Sequence, residues 1–337
     1  MIREAIDKLV RKIDLSEGQT REVFGEIMSG NATPAEIASF LTALRMKGET
    51  AAEITGAAKV MREKSLHIKI DSSGAVVDTC GTGGSGINTF NISSTAAFVV
   101  AAAGVKVAKH GNRSASSQCG SADVLEALGV KIDVGPDLVQ RCILEIGIGF
   151  MYAPLFHSAM KYAAPVRKEI GIRTIFNLLG PLSNPAGASA QVVGVYDDKL
   201  TVVLAEALKN LGVKHAMVVH GHDGLDEITI TGRTKITELK NGLLKTYYVS
   251  PEKMSLKKAR PEEIEGGSAT ENAATILSIL KGERGPKRDV VLMNTAAALI
   301  CAASADNFKA GVKKAAELID SGKALDKLLQ LIELTNR

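Results

Sequence analysis

The chain has 337 residues, 45% of them hydrophobic, enough for a full-sized core and for two domains, or one large domain carrying a smaller one. A net charge of +4 comes from lysines and arginines scattered among nearly as many acids, so there is no nucleic-acid footprint, while a local cationic site for an acidic small molecule stays open. The four cysteines, Cys80, Cys119, Cys142 and Cys301, form no C-x-x-C pair and no His-bearing metal pattern, which argues against zinc and disulfides and for a reducing cytoplasm.

The amino-terminal MIREAIDKLVRKIDLSEG carries charges throughout and lacks the apolar stretch of a signal peptide. No uncharged apolar segment reaches the roughly 18 residues of a membrane span, and the small-apolar run Thr95 to Gly104 is far too short. Ile2, Ile6, Leu9, Val10 and Ile13 keep helical spacing on one face. Ser16 with Gln19, Thr33 with Glu36, and Thr50 with Glu53 fit capping boxes; Pro34 suits a first helical turn, and Gly30 and Gly48 are natural stops. These short helices predict a small helical domain over residues 1–70.

From about residue 74 the texture changes. AVVDTCG, VKVAKHG, QVVGVY and HAMVVHG read as strands, TAAFVVAAAG, SADVLEALG and TVVLAEALKNLG as helices, and KIDVG as extended. The alternation predicts an α/β domain over 71–337 with a mostly parallel sheet covered by helices on both faces. Residues 155–185, helical and proline-containing, interrupt the rhythm and are expected to return to the helical domain. There are no internal repeats.

CGTGGSGINTFNISSTAAF joins a strand to a helix. Gly81, Gly83, Gly84 and Gly86 let backbone amides approach a ligand, and Asn91, Ser93, Ser94 and Thr95 add polar groups where a helix dipole favours an anion. The loop reads as a phosphate cradle; the bland alternative is a flexible turn with a serine cap. Gly81, Gly83 and Gly86 also match the dinucleotide spacing, but the helix starts about seven residues late. The next strand ends in Lys109, His110, Gly111, Asn112 and Arg113, where that motif needs an acid for a ribose. No Gly-Lys-Ser/Thr follows, so a nucleoside-triphosphate loop is absent. Lys109 to Ser117 forms a second pole, with Lys109, Arg113, Ser114, Ser116 and Ser117 offering charge and hydroxyls to phosphate.

Two acid pairs follow strands. Asp197-Asp198 is most simply a helix cap. Asp226-Glu227, in GHDGLDEITI, is either a solvated turn or a pair of hard oxygen ligands for magnesium shared with substrate phosphates.

GTGGSG, NISS, KHGNRSASS, GSADVLEALG, VRKEIGIRTIFNLLGPLSNP and GHDGLDEI, in that order, resemble the anthranilate phosphoribosyltransferase family over nearly the whole chain. The resemblance implies transfer of a phosphoribosyl group from phosphoribosyl pyrophosphate (PRPP) to anthranilate in tryptophan biosynthesis. It implies PRPP contacts at Gly81, Gly84, Ser85, Thr89, Asn91, Ile92, Ser93, Ser94, Lys109, His110, Gly111, Asn112, Arg113, Ser114, Ala115, Ser116, Ser117 and Ser121. Magnesium (Mg2+) would lie at Ser93, Asp226 and Glu227, and anthranilate near Gly81, Asn112 and Arg167, with Arg167 facing its carboxylate. It further implies a small helical domain beside a larger α/β domain and a homodimer through the helical domain, with neither nucleic acid nor membrane as partner. The chain departs from the family at Ser85, where Asp is frequent, at Gln118 and Cys119, where Lys and Ser are frequent, and at Ser94, where Thr is usual.

Displacement at a ribosyl anomeric carbon through a cationic state needs a held leaving group and a positioned amine rather than a covalent nucleophile. His110 is the nearest titratable candidate to take the amine's proton; a packing role is the alternative. Two rival readings are a pyrimidine nucleoside phosphorylase, whose glycine loop and Lys-bearing motif differ, and an inactive nucleic-acid-binding relative, which the retained Asn112, Arg167 and Asp226-Glu227 argue against.

Overall fold

The structure is a computed structural model that describes residues 1–71, 73–114 and 118–337. Helices α1 (Ile2–Val10), α2 (Glu17–Met28), α3 (Pro34–Lys47) and α4 (Ala51–Glu63) come first. Each of α2, α3 and α4 starts at its expected capping box, Ser16/Gln19, Thr33/Glu36 and Thr50/Glu53, with hydroxyl and N3 side chain exchanging backbone hydrogen bonds. The expected apolar face of α1 is shorter than its spacing implied. Ile2 and Leu9 are buried, but Val10 is exposed and Ile13 lies beyond the helix and is exposed.

β1 (Val76–Gly81), α5 (Ile92–Ala102), β2 (Lys106–Gly111), α6 (Ser121–Ala127), α7 (Pro136–Arg141) and β3 (Ile148–Tyr152) follow. The short helices α8 (Ala153–Phe156), α9 (Ala164–Ile170) and α10 (Phe176–Leu182) precede β4 (Ala190–Gly194), α11 (Leu200–Asn210) and β5 (His215–Gly221). The hairpin β6 (Thr234–Lys240) and β7 (Leu243–Val249) then leads to α12 (Ala269–Leu280), α13 (Pro286–Cys301), α14 (Phe308–Asp320) and α15 (Lys323–Asn336).

The strands form one sheet in the order β3-β2-β1-β4-β5-β6-β7, parallel from β3 to β5 and antiparallel at β6 and β7. KIDVG is not a strand. It runs unpaired into the Gly135-Pro136 start of α7, and its Ile132 and Val134 are buried by packing alone.

Strand side chains alternate between two cores, as a period of two requires. Val192, Met217 and Val219 face a core built with α5 and α12–α15. Val193, Val218 and Ala216 face the other, which also contains Phe24, Phe40, Leu41 and Ile54 of α2–α4, and Val166, Phe176 and Leu179 of α9 and α10. The 155–185 segment therefore packs with the amino-terminal helices. No helix among the described residues is long and apolar enough to cross a membrane.

Candidate active site

In the sheet order β2-β1-β4-β5 the chain leaves β1 towards one edge and resumes at β4 towards the other. Such a switch point opens a crevice beyond the carboxyl ends of the strands. Gly81 and Gly194 end β1 and β4 there as register partners. Asp226, from the loop after β5, sits over both: a Cβ on Gly81 would lie 2.6 Å from its Oδ2, and one on Gly194 would overlap its backbone carbonyl. Glycine at both positions is what admits the acid pair to the switch point.

The glycine loop closes on that acid. Gly83, Gly84 and Gly86 take φ of 68°, 79° and 77°, a left-handed region costly for other residues. The Gly83 N–H donates to Asp226 Oδ2 at 2.9 Å, and the Ser85 hydroxyl also reaches this carboxylate. Arg173 donates through Nη2 to the Gly84 carbonyl at 2.5 Å, its guanidinium 4.5 Å from the Tyr196 ring centroid. Thr89 bridges Glu265, and Asn88 Nδ2 donates to the Gly266 carbonyl at 2.9 Å, tying the loop's far end to the segment before α12.

Glu227 reaches the start of α5, where the Ser93 N–H donates to Oε1 at 3.2 Å. Burial, then the neighbouring Asp226, drives the Glu227 carboxyl upward, with Lys109 opposing. Asp226 is raised too, by burial. Two adjacent half-buried carboxylates beside a serine are a donor set of hard oxygens whose crowding a divalent cation relieves, so these residues fit magnesium. Among the described residues no group of three or more His, Cys, Asp or Glu could hold a metal. Two carboxylates with phosphate oxygens would suffice for Mg2+, which rarely uses an all-protein cage.

Lys109, buried at the end of β2, donates through Nζ to the Thr79 carbonyl at 2.5 Å and approaches the Ser93 hydroxyl at 3.5 Å. Gly81, Gly83, Ser85, Ser93, Lys109, Asp226 and Glu227 thus form one contiguous cluster. Asn91 links it to the second loop: Nδ2 donates to the Cys119 carbonyl at 3.2 Å, and Oδ1 accepts from Asn272 at 3.1 Å and from the Cys119 thiol at 3.4 Å.

Past Gly111 the second loop turns outward. Asn112 and Arg113 are exposed, the Asn112 carbonyl accepts from the Ser121 hydroxyl at 3.4 Å, and Arg113 pairs with Asp123 and Glu126 of α6. Ala115, Ser116 and Ser117 lie outside the described residues. Ile92 belongs to the core, and the Ser94 hydroxyl is buried without a hydrogen-bond partner beside a small internal cavity of about 10 Å³ lined by Ala97, Phe98 and Phe150. Neither side chain reaches the crevice; only their backbone at the start of α5 does.

His110 is buried, donates through Nδ1 to the Gly180 carbonyl at 3.2 Å, and lies 5.0 Å from the His157 ring. Burial first, and His157 second, bring its pKa down to about 3, leaving a neutral imidazole whose Nε2 has no partner. Arg167, on α9, is half-buried 5.0 Å over the Phe176 ring and has no carboxylate partner among the described residues. Among the described residues no side-chain hydrogen bond or ion pair joins it to either loop; Phe176 beneath it belongs to α10, whose Gly180 carbonyl holds His110.

Sequence reasoning missed Arg173, Asn272, Asp123 and Asp78. Asp78, fully buried under the crevice, accepts from Asn184 Nδ2 at 2.8 Å and from the His110 N–H at 3.4 Å. Its place in an apolar strand, AVVDTCG, was the available signal, because a buried acid needs dedicated partners.

Comparison with known proteins follows the same lines. Residues 3–65 match the glycosyl transferase family, helical bundle domain, and residues 73–325 the glycosyl transferase family, a/b domain. The chain is 55% identical over 335 residues to the anthranilate phosphoribosyltransferase of Alkaliphilus metalliredigens, covering 99% of this chain and 98% of that protein. Its fold matches the crystal structure of anthranilate phosphoribosyltransferase from Thermus thermophilus with a TM-score of 0.94 at 42% identity, covering 99% of both chains. It matches the Saccharomyces cerevisiae enzyme in complex with PRPP and Mg with a TM-score of 0.90 at 30% identity, covering 99% of this chain and 98% of that one. With the sheet, the switch-point acids and both domain matches in agreement, the chain belongs to the glycosyl transferase family and, within it, to the anthranilate phosphoribosyltransferases.

Proposed function

We propose that this chain transfers the phosphoribosyl group of PRPP to anthranilate, giving N-(5-phosphoribosyl)anthranilate and pyrophosphate, a step of tryptophan biosynthesis. The observation that carries this reading is the Asp226-Glu227 pair over the switch point, one carboxylate on the Gly83 amide and the other on the Ser93 amide.

In this reading PRPP spans the two loops. Gly81, Gly84, Ser85, Thr89, the Asn91–Ser94 backbone, Lys109 to Ser117 (Arg113 through its backbone only), and Ser121 meet its phosphates and ribose. The α5 amino terminus adds the positive end of a helix dipole. Ser93, Asp226 and Glu227 would hold Mg2+, which supplies charge neutralisation of the departing pyrophosphate. Lys109 adds a buried cation within reach of Ser93. Arg167 offers a guanidinium fork, free of any acid among the described residues, to the anthranilate carboxylate, with Gly81 and Asn112 lining the aromatic site. The unpartnered Nε2 of His110 is the group proposed to receive the amine's proton. A weak base serves, because an arylammonium gives up its proton far more readily than an alkylammonium.

The same reading takes residues 1–70 with 155–185 as the helical domain and 71–337 as the α/β domain. It makes the protein a homodimer through the helical domain, where Val10, Ile13 and Met46 expose apolar surface. Four free cysteines suit a cytoplasmic protein. Loss of anthranilate fluorescence on mixing with PRPP and magnesium is the deciding assay. No loss at any magnesium concentration would overturn the assignment, and undiminished activity in chelator would overturn the metal site.

A further inference from the structure

The loop after β2 is held at both ends by one side chain. Asp123, the third residue of α6, accepts the Ser114 N–H at 3.0 Å and the Gly120 N–H at 2.9 Å on Oδ2. Its other oxygen takes Arg113 Nη1 at 3.0 Å. Arg113 also forks onto Glu126, at 2.8 and 3.1 Å, with its guanidinium 5.8 Å from the Tyr152 ring centroid. Partial burial raises the Asp123 carboxyl, but the hydrogen bonds from Ser114, Gly120 and Arg113 outweigh it and keep the group below its ordinary value.

One guanidinium against two carboxylates leaves no surplus positive charge. A phosphate would have to displace a two-pronged, half-exposed Arg–carboxylate contact to gain Arg113 and would leave Asp123 and Glu126 as unpaired acids beside it. The sequence reading of Arg113 as a phosphate ligand therefore meets a side chain that is already occupied. What the loop can offer an anion is backbone N–H groups and hydroxyls, and these bind well only when their geometry is set beforehand.

We infer that Asp123 is a positioning residue for PRPP, fixing the two ends of the second loop relative to each other and holding Arg113 as a strut between loop and helix. The inference rests on the reading that this loop binds PRPP. The bland account is that Asp123 merely caps α6, since an N3 acid accepting a backbone amide is a common helix start. The two differ in what they predict. A cap lost lowers stability and leaves both Michaelis constants alone. A clamp lost weakens one substrate.

The test is steady-state kinetics at saturating magnesium on Asp123→Ala, Asp123→Asn and Arg113→Met, with thermal unfolding of each. Asp123→Ala should raise KM for PRPP about tenfold, the equivalent of one charge-assisted hydrogen bond, with KM for anthranilate held within about twofold. Asp123→Asn keeps an oxygen for the two amides and should show a smaller rise, and it carries the test if the alanine variant does not fold. Arg113→Met should raise KM for PRPP less than Asp123→Ala. A larger effect from Arg113→Met, an equal rise in both constants, or a fall in melting temperature alone would overturn the clamp. Hydrogen exchange on the unaltered protein separates this failure from failure of the underlying reading. PRPP with magnesium should slow exchange at residues 112–114 and 118–121. No slowing there would remove the loop from the PRPP site, whereas slowing with unchanged Asp123 kinetics would remove only the clamp.

Discussion

Arg167 and the histidine pair show how single residues carry the chemistry. Arg167 sits half-buried over Phe176 without an acid among the described residues, and burial pulls its pKa down, so the cation lacks a counter-charge that a carboxylate ligand would supply. Arg167→Ala should raise KM for anthranilate by the equivalent of about 1.5–3 kcal/mol, the worth of a hydrogen bond to a charged group. An unchanged anthranilate constant beside a raised PRPP constant would reassign the residue. The histidines make a different prediction. Burial lowers His110 to about 3 and His157 to about 4, both from 6.5. Between those values the unfolded chain binds more protons than the folded one, so stability falls as pH drops below about 6.5. His157→Gln should flatten that loss by roughly 1–2 kcal/mol between pH 7 and 5, measured by urea unfolding at the two pH values. Equal slopes in both proteins would mean that His157 titrates normally. Ser85 belongs at this scale as well: its hydroxyl reaches Asp226, so the carboxylate frequent in the family at this position would set a third acid beside the pair.

Elements were legible where local chemistry determines them. The three capping boxes marked α2, α3 and α4 because a hydroxyl and an N3 acceptor satisfy donors that no other residues reach. β1, β2, β4 and β5 were legible as apolar runs because parallel strands are buried on both faces. β6 and β7 were passed over because lysines and glutamate interrupt them, as an edge hairpin allows. The signal was the Asn241-Gly242 pair between them, with φ of 50° and 79°, a hairpin turn. The site's residue types could be read from the chain, but its contacts could not. Nothing in GHDGLDEI states that Asp226 will lie on Gly194, because strand order is decided by packing of distant segments. That contact is itself testable. Gly194→Ala would drive a methyl into the Asp226 carbonyl and shift the acid loop. A displacement near 1 Å should cost about 100-fold in kcat/KM. Near-normal kcat/KM would show that the loop can move without loss.

At the scale of the whole molecule, the amino-terminal helices and the sheet share one apolar core, so the protein should unfold as a unit. Phe24, Leu41 and Ile54 from α2–α4 belong to the same cluster as Val193 and Val218 of β4 and β5. Arg62, in the last turn of α4, fastens this junction. Its Nε donates to the Leu182 carbonyl at 2.7 Å and Nη1 approaches the Leu211 carbonyl at 3.4 Å. Leu182 ends α10 and Leu211 caps α11, so one cation sits at the negative ends of two helices. Burial lowers its pKa, and among the described residues no carboxylate pairs with it, so those carbonyls are its compensation. Arg62→Met keeps much of the side-chain volume and removes the donors. Most of the loss should come from the shorter bond, about 2 kcal/mol for a charged donor to a buried carbonyl. Differential scanning calorimetry should then show a lower midpoint in a single transition, because the tie joins α4 to the carboxyl ends of α10 and α11 within one shared core. A single transition at the original temperature would mean that the shared apolar core alone couples the layers and that Arg62 adds nothing to it.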